Sequence, residues 1–94
     1  MTPEQANRII AEAIGKDVIW AWWGREHTRP VDFAYSSVTL RLIEWAAKQG
    51  WWGKCLDRVD GYLTDFTGGD VTLEWVATRI RDLVAEAIEQ ETQQ

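Results

Sequence analysis

Three observations in this 94-residue sequence predict a small layered α/β fold of the α+β kind. Apolar residues recur at helical spacing in three stretches, at the start, the middle and the end of the chain. A β-branched and aromatic run stands between the first two, and Asp60-Gly61 separates two further short runs as a hairpin turn would. The predicted order is helix, strand, helix, β-hairpin, helix, packed as an α/β/α sandwich in one domain spanning 1–94.

Thr2-Pro3-Glu4-Gln5 opens the first helix: Thr2 caps, Pro3 suits the first turn, and Gln5 can close a capping box. Ala6, Ile9, Ile10, Ala13 and Ile14 follow at helical spacing, and Gly15 ends the run. Residues 17–23 are β-branched and aromatic and too short for an independent helix, so a strand is expected, apolar on both faces and covered on both. Residues 24–35 hold charge, Pro30 and no period, which makes them the longest loop.

Ser36 or Ser37 then caps a second helix running to about Gln49. Val38, Leu42, Trp45 and Ala46 lie on one side, Leu40, Ile43 and Ala47 widen that face, as burial between layers requires, and Gly50 terminates it. Residues 51–58 and 62–66 are expected as strands around Asp60-Gly61, with Trp51 and Trp52 on opposite faces. Thr67-Gly68-Gly69-Asp70 is a turn; it lacks the lysine of a phosphate loop and carries an aspartate instead. From Thr72 a last helix places Leu73, Val76, Ala77, Ile80, Leu83, Val84, Ala87 and Ile88 in nearly unbroken period, and the polar residues 89–94 are expected to fray.

Composition narrows the function classes. The net charge of −5 is uneven: residues 1–56 hold seven basic and six acidic side chains, residues 57–94 three and nine. An acidic second half argues against a nucleic-acid polymer as partner. No apolar run is long enough for a membrane span or resembles a signal segment, so the cytoplasm is expected. Cys55 stands alone, and His27 has only Glu26 and Asp32 near it in sequence, so neither a disulfide, a metal site nor a cofactor is expected. No nucleophile signature surrounds Cys55, Ser36 or Ser37, and acidic pairs such as Asp57 with Asp60 or Asp65 with Asp70 suit turns better than acid–base chemistry. A binding protein is expected rather than an enzyme.

Ala34-Tyr35-Ser36-Ser37 leading into a Trp-bearing helix, Gly50-Trp51 after it, Gly61 at the centre of a hairpin, Phe66, and an Ala-rich closing helix from Leu73 together resemble the phage ABA sandwich domain family. The resemblance runs over roughly residues 6–88. It implies a phage or prophage origin, a host bacterial cytoplasm and an α/β/α sandwich, and carries no catalytic motif. Trp20-Ala21-Trp22-Trp23 and the charged loop after them depart from the family pattern.

Seven Trp against two Phe and two Tyr exceed what a core this small conceals, so some indoles are expected at an interface or pocket. Trp20, Trp22, Trp23, Tyr35 and Trp51 offer stacking faces, Arg25 and Arg29 offer anion-binding forks, and His27 lies between them; together they form the candidate ligand-binding set. The expected function is a phage-type accessory protein that binds and sequesters a small nucleotide-like ligand, countering host defence. The alternatives are an interaction module that inhibits a host protein through exposed Trp and the acidic half, and a self-assembling phage component. A homo-oligomer is expected wherever an indole stays uncovered.

Overall fold

The computed structural model describes residues 1–15, 19 and 31–92, whose regular structure is helical. Helix α1 spans Pro3–Ile14, α2 Ser36–Ala46, α3 Leu56–Thr67 and α4 Leu73–Thr92, with a short 3-10 turn at Trp52–Lys54. Among the described residues there is no strand, so the expected sandwich and its β-hairpin are overturned. The strand expected at 17–23 lies outside the described residues except for Ile19, which is helical and donates its N–H to the Gly15 carbonyl at 3.3 Å.

Helix α1 forms as its spacing predicts. The Gln5 N–H donates to Thr2 Oγ1 (3.2 Å) and the Thr2 N–H to Gln5 Oε1 (2.8 Å), a complete capping box. Gly15, at φ 91°, ends it in a conformation a side chain resists. Ala6, Ile10 and Ile14 form its buried stripe.

Helix α4 is the axis on which α1, α2 and α3 all pack. Val76, Ala77, Ile80, Arg81, Leu83, Val84 and Ala85 are buried, an arc wide enough to surround most of the helix, as a central position demands. Thr72, where the last helix was expected to start, accepts from the Trp75 N–H through Oγ1 (3.1 Å). The end expected to fray is helical through Thr92: the Thr92 hydroxyl bonds the Ile88 carbonyl (2.8 Å) and Lys54 Nζ reaches Glu91 at 3.0 Å.

Helix α2 corrects its predicted cap. Tyr35 is the N-cap residue and caps with no side-chain bond, whereas Ser36 already lies inside the helix. Thr39 is buried because its hydroxyl donates to the carbonyls of Phe33 (3.0 Å) and Tyr35 (2.8 Å). The helix ends at Ala46 rather than near Gln49.

The largest correction is α3. Val59, Tyr62, Leu63 and Phe66 stand at i, i+3, i+4 and i+7, a helical stripe that overrides the Asp60-Gly61 turn signal and carries Gly61 into the helix interior. The true stop lies at Gly68-Gly69. Gly69 adopts φ 82°, its N–H bonds the Phe66 carbonyl (3.0 Å), and the Asp70 N–H bonds the Asp65 carbonyl (3.0 Å), which is a Schellman closure.

A polar clasp ties the 31–35 turn to two helices. The Asn7 side chain accepts from the Phe33 N–H (3.0 Å), and Asp32 Oδ1 accepts from the Ala34 N–H (3.0 Å) and Arg81 Nη1 (3.3 Å). The Arg81 side chain is 6% exposed and is also held by Asp82 through Nε at 3.1 Å, so its buried charge is compensated twice. Phe33, fully buried, is thereby locked into the core. No described helix is long and apolar enough to cross a membrane.

Candidate functional site

Where three helices meet a fourth, unevenness in their lengths and faces decides what stays open. Helix α3 buries only Val59 in twelve residues, and of its apolar stripe Leu63 and Phe66 stay exposed. Leu63 is 42% exposed. On α2, Leu42 is fully buried against the core while Leu40, two positions earlier, is 71% exposed. At the start of α4, Leu73 is 47% exposed.

These side chains belong to one open groove of about 350 Å³. Leu40 and Ile43 of α2 and Leu63 of α3 form its sides; Leu73, Val76 and Ile80 of α4 complete the lining. Val76, Ala77 and Ile80 are buried to 1%, so the floor is packed core and the sides are exposed leucine. Thr39 also lines it, but its hydroxyl is committed to backbone carbonyls. The groove therefore offers shape and apolar area with little hydrogen-bonding capacity.

Among the described residues its lining is uncharged. Between 56 and 79 stand Asp57, Asp60, Asp65, Asp70 and Glu74 with Arg58 and Arg79, all exposed and none of them in the groove lining. None of the five acids is in an ion pair among the described residues. The Schellman closure sets the Asp65 and Asp70 backbones together at the end of α3.

The comparisons with known proteins are silent: no family model, curated protein or solved structure matches this chain.

Of the residues predicted to bind a ligand, Trp20, Trp22, Trp23, Arg25, His27 and Arg29 lie outside the described residues. Tyr35 is 66% exposed at the N-cap of α2. Trp51 is half-buried, its ring 6.1 Å from that of Trp45 and 6.4 Å from that of Trp52. Trp51 and Trp52 thus sit side by side in a helical turn, correcting their expected placement on opposite faces of a strand. Tyr35 and Trp51 share no ring contact among the described residues. Trp51 lines a cleft of about 150 Å³ with Cys55, Arg58, Glu86 and Glu91. That is small beside the roughly 300–1,000 Å³ of ordinary ligand pockets.

The remaining indoles are similarly committed. Trp52 is buried, and Trp75 is packed edge-on against Tyr62 (5.5 Å) with the Arg79 guanidinium 5.2 Å over its ring. Cys55 is buried, not on a strand, and desolvation pushes its thiol up despite the nearby charges of Arg58 and Lys54, which makes it a poor nucleophile. The apolar surface left open is leucine, which attention to tryptophan overlooked. The sequence signal was an apolar arc on α2 too wide for one contact, Leu40 and Ile43 beside Val38 and Leu42.

Proposed function

We propose that this chain is a protein-interaction module that takes a partner in the groove between α2, α3 and α4. The observation that carries this reading is the exposure of Leu40, Leu63 and Leu73 around one apolar floor. Contiguous exposed apolar surface is the usual mark of such a site. Aromatic or aliphatic anchors inserted into a pocket of this kind carry most of the energy of an interface.

A phage or prophage origin, with a host protein as the partner, is carried over from the sequence resemblance alone, whose hairpin at Gly61 is replaced by helix α3. A nucleotide-like ligand held by Trp20, Trp22, Trp23 and the following arginines rests on sequence alone and gains no support from the described residues.

The test is capture from bacterial lysate on immobilised protein, with three forms in parallel: the unaltered chain, Leu63→Glu, and Arg8→Glu on α1, away from the groove. One protein retained by the first and third and lost by Leu63→Glu is the expected result. Equal retention by all three forms would remove the groove from the function.

A further inference from the structure

We draw no further inference here: the strongest candidate, the apolar groove between α2, α3 and α4, belongs to the site already described, and nothing in the structure shows what covers it.

Discussion

Asp32 is the residue on which the chain's long return between α1 and α2 is fastened. One carboxylate oxygen takes the Ala34 N–H and the Arg81 guanidinium, and lies 3.5 Å from the Asn7 amide. Arg81 is nearly dry, so it depends on its two carboxylates, whereas Asp32 itself is 45% exposed and is partly served by water. Asp32→Ala is expected to cost about 1–3 kcal/mol, toward the lower figure because Asp82 still holds Arg81 and water replaces part of the loss. Urea unfolding against the unaltered chain measures it. A change near zero would mean that the clasp does not fasten the turn. Nothing in the sequence marked Asp32 for this role, because its partners lie 25 and 49 residues away and no local pattern encodes such a meeting.

At the scale of elements, legibility followed how local the deciding forces are. The capping box of α1 was readable because it lies within four residues and answers unpaired N–H groups, and the start of α4 near Thr72 because its apolar period begins there. α3 was not, since Asp60-Gly61 is as good a turn signal as it is a poor helical pair, and a glycine inside a helix costs about 1 kcal/mol. Packing of Val59 into the core and of Tyr62 edge-on against Trp75 outweighs that cost. The two structures make opposite predictions for one substitution. Gly61 sits in the helix with open space where a Cβ would go, so Gly61→Ala should stabilise the protein by about 0.5–1 kcal/mol. A hairpin glycine at positive φ would instead be destabilised by alanine. Thermal unfolding decides between them, and a lower melting temperature for Gly61→Ala would return α3 to a hairpin.

At the scale of the molecule, the described residues form one helix, α4, with three others packed on it. α1 covers one flank, and α2 and α3 leave a furrow over the first two turns of α4. Helical period tells which residues share a face, but not whether that face meets another helix or water. Leu40 and Leu42 therefore read alike in sequence, though one is open and the other sealed. The acidic second half read from composition falls on α3, α4 and the turn between them, and none of its acids lines the furrow. Tryptophan number suggested an exposed aromatic surface; among the described residues Trp45, Trp51, Trp52 and Trp75 are instead packed at least in part, and leucine supplies the open surface.

The most direct measurement is the urea midpoint of Leu40→Glu beside that of Leu42→Glu. With Leu40 facing open solvent, its replacement should leave stability within about 0.5 kcal/mol, while Leu42→Glu should lose more than about 3 kcal/mol or fail to fold. If Leu40→Glu is destabilised as severely as Leu42→Glu, the furrow is already filled by the chain itself and no partner docks there.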